Sequence, residues 1–333
     1  MKNFITICIT GLLLVTPVHA QKTAWIVHAE SKSHVSIADV TVDAGNHHYA
    51  TGHFDDTLVY KSFSGQDTLI DRGFGDAFIV KQDPCGRLVW LRQFKGTSSV
   101  EPDAIAIDSR GRVITAGEFA STTDFDPGPG RHLLAPNGGN AIYVSILDRN
   151  GDFVRAGRIG GSLGMYNPDV SVDVTDNIYI GGSFSGGFSN QAVELSPDPD
   201  TSYIRTPQGV VDGFIVKVNH KLNFLFGRQL TSPGSLYVHS IGVGNAKVYA
   251  TGRFYNKADF EPGTGDHILN ASNRDDGFVL RMSYSGDVEQ VHHMRGAQNI
   301  AGLEIEVDDL GFAYTTGIFT GTLLAGEGNN TAT

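Results

Sequence analysis

Thr51-Gly52-His53-Phe54 returns four times along the chain, as Ala116-Gly117-Glu118-Phe119, Gly181-Gly182-Ser183-Phe184, Thr251-Gly252-Arg253-Phe254 and Thr316-Gly317-Ile318-Phe319. The glycines are spaced 65, 65, 70 and 65 residues apart. A fixed period of this length marks a stacked repeat architecture. Other landmarks keep step with the glycine. Nine residues before it an acid ends an alternating run, as in Val40-Thr41-Val42-Asp43, Ala106-Ile107-Asp108, Val170-Ser171-Val172-Asp173 and Ile305-Glu306-Val307-Asp308. The fourth copy has Val243-Gly244 there, one residue short. Downstream lies a second strand-like signature, Asp76-Ala77-Phe78-Ile79-Val80-Lys81, echoed at Asn140, Asp212 and Asp276. A turn and a fourth apolar run, such as Leu88-Val89-Trp90-Leu91, complete the unit.

Period-two alternation bounded by Gly, Asn, Asp and Pro predicts strands and hairpins. Each unit reads as strand A (37–43), strand B (48–54), a long polar loop, strand C (77–81) and strand D. Four antiparallel strands cannot bury both faces alone, so the units must stack, and radial closure leaves few exposed edges. The expected fold class is all-β, a β-propeller of four-stranded blades. The period exceeds the roughly 40–45 residues of WD40 and the roughly 50 of kelch units. An open β-solenoid is the competing architecture.

The ordered run Asp-Ala-Phe-Ile-Val-Lys, an Asp-Pro-x-Gly turn at Asp83, an aromatic strand, Ala106-Ile107-Asp108-Ser109 and Ala116-Gly117-Glu118-Phe119 resembles the SBBP-type β-propeller repeat of secreted bacterial proteins. The resemblance covers the chain downstream of its leader. It implies fold and an extracellular location, and little about a ligand. The third unit departs from it by an insertion around Asp198-Pro199-Asp200.

Residues 1–20 read as a signal peptide: basic Lys2, an apolar stretch from Phe4 to Val15, then Val18-His19-Ala20 as the cleavage site. The expectation is export, to the medium or the cell surface, with cleavage after Ala20. No other apolar stretch is long enough for a span. Residues 21–333 form the propeller, with a closing strand at 22–31 in which Trp25 answers Trp90. Blades follow at 33–95, 96–160, 161–231 and 232–295, then a partial fifth at 296–333. Thr333 falls inside a loop, so the expectation is a truncated fifth blade.

Cleavage leaves Cys85 as the single cysteine, excluding an internal disulfide and a cysteine metal cluster. The formal charge of −11 becomes −12 without Lys2. An acidic surface repels phosphate backbones, so nucleic acid is a poor partner. Asp124-Phe125-Asp126-Pro127-Gly128, echoed by Asp259-Phe260-Glu261-Pro262-Gly263, offers paired carboxylates as a candidate calcium site. The alternative is an aromatic packed between blades with acids capping turns. Gly160-Gly161-Ser162-Leu163-Gly164 matches a nucleophile motif in letters but lacks its strand-to-helix context. Neighbours on a strand face opposite ways, so neither His47-His48 nor His292-His293 can readily chelate one ion by itself. Asn270-Ala271-Ser272 is a glycosylation sequon.

Residues that repeat in every blade serve the fold, and those that differ make sites. That logic selects the 185–211 insertion, with Asp198, Asp200, Tyr203 and Arg205, as the ligand loop. The leading function is a non-catalytic binding scaffold for an extracellular protein or glycan. The alternatives are a lyase or glycoside hydrolase working at the axial mouth, and a spacer for a further domain.

Overall fold

The structure, a computed structural model, describes residues 4–7, 27–62, 65–71, 73–160, 164–185, 191–262, 267–296, 298–308, 310–325 and 331–332. Strands and turns account for them, and none of them is helical. Among the described residues, therefore, no helix is long and apolar enough to cross a membrane. Cys85 is a free, exposed thiol, and no disulfide is present among the described residues.

Two leading strands, β1 (Phe4–Ile7) and β2 (Val27–Ser31), precede five units. Unit one holds β3 (Val35–Val42), β4 (His48–Phe54), β5 (Thr57–Ser62), β6 (Gly65–Ile70), β7 (Asp76–Gln82) and β8 (Leu88–Gly96). Unit two holds β9 (Val100–Ile107), β10 (Val113–Phe119), β11 (Thr123–Asp124), β12 (Leu133–Leu134), β13 (Ala141–Leu147) and β14 (Phe153–Gly160). Unit three holds β15 (Met165–Val172), β16 (Ile178–Phe184), β17 (Val193–Glu194), β18 (Ile204–Arg205), β19 (Asp212–Val218) and β20 (Phe224–Leu230). Unit four holds β21 (Leu236–Gly244), β22 (Lys247–Asp259), β23 (Ile268–Ser283) and β24 (Val288–Gly296). Unit five holds β25 (Ile300–Val307), β26 (Ala313–Phe319), β27 (Leu323–Ala325) and β28 (Thr331–Ala332).

Antiparallel ladders run β3-β4-β7-β8, β9-β10-β13-β14, β15-β16-β19-β20 and β21-β22-β23-β24, and β25 pairs with β26. This all-β repeat is compatible with a β-propeller. The stretch expected to be a polar loop between strands B and C is a hairpin instead: β5–β6, β11–β12, β17–β18, and the far ends of β22 and β23. The reason lies in one apolar anchor per loop, since Leu58, Phe125, Leu195 and Phe260 are all fully buried.

These hairpins lean on the preceding unit's outer strand. Thr123 of β11 pairs with Gly96 of β8, Asp259 bridges Thr231, and β27 pairs with β24. By the same relation β5 pairs with β2, so β2 stands where an outer strand D would. The expected closing strand is thus described from Val27 onward. Residues 22–26, and the leader apart from Phe4–Ile7, lie outside the described residues.

Period-two alternation explains the core. Along β7, Ile79 faces unit two while Phe78 and Val80 face the cluster holding Ala29 and Phe54. Tyr143 and its neighbours Ile142 and Val144 divide in the same way, as do Ile215 and its neighbours Phe214 and Val216. In units one to three the strands of type C are buried from end to end, and the apolar clusters span consecutive units. Stacking is therefore what buries the second face of each sheet.

The acids that repeat cap turns. Asp43 accepts the amides of Gly45 (2.8 Å) and His47 (2.9 Å) and the Tyr49 hydroxyl (2.9 Å). Asp173 and Asp308 hold their own turns and Tyr179 and Tyr314 alike. In unit four, Asn245 and Ala246 replace the acid with a tight turn at φ 49° and 59°, the left-handed pair of a type I′ hairpin.

Candidate functional site

The innermost strands β3, β9, β15, β21 and β25 pack side by side in sequence order. Each carries a β-bulge opposite the glycine of the Gly-x-Phe signature. Register slips at Ala38 opposite Gly52, at Asp103 opposite Gly117, at Asn167-Pro168 opposite Gly182, at His239 opposite Gly252 and at Leu303 opposite Gly317. Glycine is required because two neighbours close on it. A Cβ at Gly52 would lie 2.1 Å from the Ser36 carbonyl oxygen and 2.8 Å from the Phe78 ring. At Gly252 the Tyr237 carbonyl oxygen would be 1.9 Å away. A bulge re-aims the side chains around it, and here it turns polar residues toward a shared cavity.

That cavity measures 650 Å³ and is lined by Asp39, Asp103, Asp169, His239, Glu304 and Glu306, among others. Two of the acids also latch one unit to the next. Asp39 Oδ2 accepts the Ile105 amide at 2.8 Å, and Asp169 Oδ2 accepts the Ile241 amide at 2.7 Å. Ser240 takes the same part toward Ile305 at 3.1 Å and donates to Glu304 at 2.6 Å. Ala104 occupies the matching place in unit two, so that boundary has no such side-chain latch.

Burial among the inner strands disfavours the charged carboxylates, and they also repel one another. Burial pushes Asp39 up to about 6 against the pull of the Ile105 and Val40 amides. It pushes Asp169 up to about 7. Burial and then the charges of Glu118, Glu101 and Asp169 push Asp103 up to about 8. Glu306 is raised by burial, with Glu304 and Asp39 adding to it, and burial lowers His239. Asp39 and Asp169 are half-buried and Asp103 is exposed where the cavity opens, so their desolvation is one-sided. Carboxyls raised in this way can accept a cation, donate a hydrogen bond, or do both.

The candidates read from sequence lie elsewhere, at unit boundaries. Asp124 accepts the amides of Asp126 (3.2 Å) and His132 (2.8 Å), and Asp126 accepts that of Gly128 (2.8 Å). Phe125 between them packs 4.7 Å from Tyr143 and 5.2 Å from Phe94. Asp259 accepts the Glu261 amide at 3.0 Å, and Glu261 meets His267 at 3.0 Å. The two pairs occupy different boundaries and do not meet. Asp198 is buried and accepts the amides of Asp200 (3.0 Å) and Phe224 (2.9 Å). Tyr203 stacks on Phe224 at 5.2 Å, and the Arg205 guanidinium lies 3.9 Å from the Tyr203 ring. Of these four, Asp200 alone is exposed. The loop also holds Glu194-Leu195-Ser196-Pro197, where Glu194 accepts the amides of Ser196 and Tyr203. This is the same fold as Asp124-Phe125-Asp126-Pro127 in a different spelling. Of the Gly-x-Ser-x-Gly stretch, residues 161–163 lie outside the described residues.

No protein-family profile matches the chain. Over 226 residues, 60% of this chain, it is 22% identical to an uncharacterized WD repeat-containing protein, L264, of Acanthamoeba polyphaga mimivirus. The match spans 16% of that protein's length. The likeness is to a β-propeller-like repeat protein.

The cavity acids stand inside the first strand of each unit, away from the acid that ends it, and the sequence carries one sign of them. Pro102-Asp103 and Pro168-Asp169 put proline inside a strand, where it marks a bulge.

Proposed function

We propose that this chain is an exported β-propeller of the SBBP type that binds a cation-bearing extracellular ligand in its axial cavity without turning it over. The observation that carries the reading is the convergence of Asp39, Asp103 and Asp169, from three successive units, on one cavity. Repeating positions cap turns and fill the core, whereas the cavity positions vary: Ala38, Asp103, Pro168, His239 and Leu303 occupy the five bulges. Variation there fits recognition better than scaffolding. A basic peptide is the ligand class the cavity suits, because ammonium and guanidinium groups satisfy carboxylates that otherwise repel one another.

The test is calorimetric titration of a lysine-rich peptide at pH 7 in two buffers of different ionisation enthalpy. Binding through these carboxyls releases protons, so the apparent enthalpy must differ between buffers and binding must weaken in Asp103→Asn. Binding without proton release, or absent altogether, contradicts the reading.

A second reading rests on Asp103 itself. A carboxyl held protonated near neutral pH beside another carboxyl is what a general acid in a glycoside hydrolase or lyase needs. Hydrolysis of a polysaccharide by the pure protein, abolished in Asp103→Asn, decides for that reading over the first.

A further inference from the structure

At the edge where units one and two meet, His34, His53 and Asp55 offer ligand atoms that all lie within 4.8 Å of one another. His53 Nε2 is 3.1 Å from Asp55 Oδ1, and the two imidazole rings are 5.9 Å apart. The other nitrogen of His53 is engaged. Its Nδ1 lies 3.3 Å from the Val100 carbonyl oxygen and 3.3 Å from Glu101 Oε2. Two acceptors there favour the N–H on Nδ1 and turn the Nε2 lone pair toward Asp55 and His34. Metal-bound histidines are oriented in this way, by an oxygen acceptor behind the ring.

The backbone holds the group ready. The Asp55 amide donates to the His34 carbonyl at 2.9 Å, and Ser31 Oγ donates to the Asp55 carbonyl at 2.5 Å. Gly75 keeps the space clear, because a Cβ there would lie 2.0 Å from His53 Cε1 and 2.8 Å from Asp55 Oδ1. The position of the group within the repeat also separates it from fold-making residues. The bond from Asp55 to His34 recurs as Ala120 to Ser99, Ser185 to Gly164, Tyr255 to Ser235 and Thr320 to Asn299. At the place of His53 stand Glu118, Ser183, Arg253 and Ile318. Among the described units, then, unit one alone puts two imidazoles and a carboxylate at these positions.

We propose that His34, His53 and Asp55 bind a zinc-class divalent cation, with the fourth coordination position open to water or an incoming ligand. Two ligand atoms at zinc bond lengths of roughly 2.0–2.1 Å in a tetrahedral site lie about 3.3 Å apart, and His53 and Asp55 already stand at that separation. His34 is exposed and closes the site by a change of rotamer. Two nitrogens and one carboxylate suit Zn²⁺, Co²⁺, Ni²⁺ or Cu²⁺, whereas calcium prefers an all-oxygen shell.

The test uses the untagged chain, Zn²⁺ competed against a chromophoric chelator, and Co²⁺ read by its visible d–d absorption. The expected result is one equivalent bound, with the intense spectrum of a tetrahedral site. His34→Gln and His53→Ala each weaken binding at least tenfold, and His292→Ala/His293→Ala leaves it unchanged. His34 is a surface residue, so His34→Gln folds even if His53→Ala does not, and circular dichroism checks both. No binding at micromolar Zn²⁺, or binding that survives His34→Gln at full strength, overturns the proposal.

Discussion

At the scale of single residues, the cavity acids set how stability responds to pH. Asp39, Asp103 and Asp169 are raised in the folded protein to about 6, 8 and 7, above the about 3.9 of an unfolded aspartate. A group raised by folding contributes stability in full below its unfolded pKa and loses it as pH climbs through the folded one. The loss from Asp103 therefore runs from about pH 4 to about pH 8. Asp103→Asn keeps the neutral shape and removes the titration. The variant is expected to match the parent near pH 4 and to melt about 2–4 °C higher at pH 8, a shift worth about 1 kcal/mol in a chain of this size. The figure is kept small because Asp103 is open to the solvent of the cavity. Thermal melts at half-unit pH steps check it, and a constant offset at every pH contradicts it.

At the scale of the element, the decisive object is strand B with its glycine. Gly252 lies between the Tyr237 carbonyl oxygen, 1.9 Å from where a Cβ would stand, and the Phe278 ring at 3.1 Å. Gly252→Ala must move β21 or β23, and overpacking of this kind costs about 1–3 kcal/mol. The expected outcome is a melting temperature lower by several degrees and loss of the binding proposed for the cavity, since the bulge at His239 sits opposite. Denaturant melts measure the first effect, and an unchanged midpoint contradicts the account. Much of this element was legible beforehand. The period, the strand B boundaries at His48–Phe54 and the turn-capping acids follow from residue order alone, because glycine, alternation and Asp-capped turns act locally. The bulge opposite the glycine was not legible, since it arises from a carbonyl on a neighbouring strand. The B–C hairpins were hidden too: their polar composition masks one buried anchor each, and Leu195 does not look like Phe125.

At the scale of the whole molecule, stability is built boundary by boundary, and the exposed surfaces follow from that. The strands of type B in units one to four are covered by a strand C, whereas β26 is exposed along its length, with Tyr314 60% and Ile318 61% accessible. Its backbone pairs with β25 and, among the described residues, with no strand on the other side. The cavity belongs to this scale as well, and so the sequence did not disclose it: Asp39, Asp103 and Asp169 are separated by 64 and 66 residues and meet only when three units stack. Those carboxyls converge on one cavity, and ¹³C NMR titration of the aspartate side chains reads that convergence. The expected midpoints lie between about 6 and 8 for Asp39, Asp103 and Asp169. Three ordinary titrations near 4 would contradict it, since carboxyls scattered on an open surface have neither the burial nor the neighbours to hold a proton.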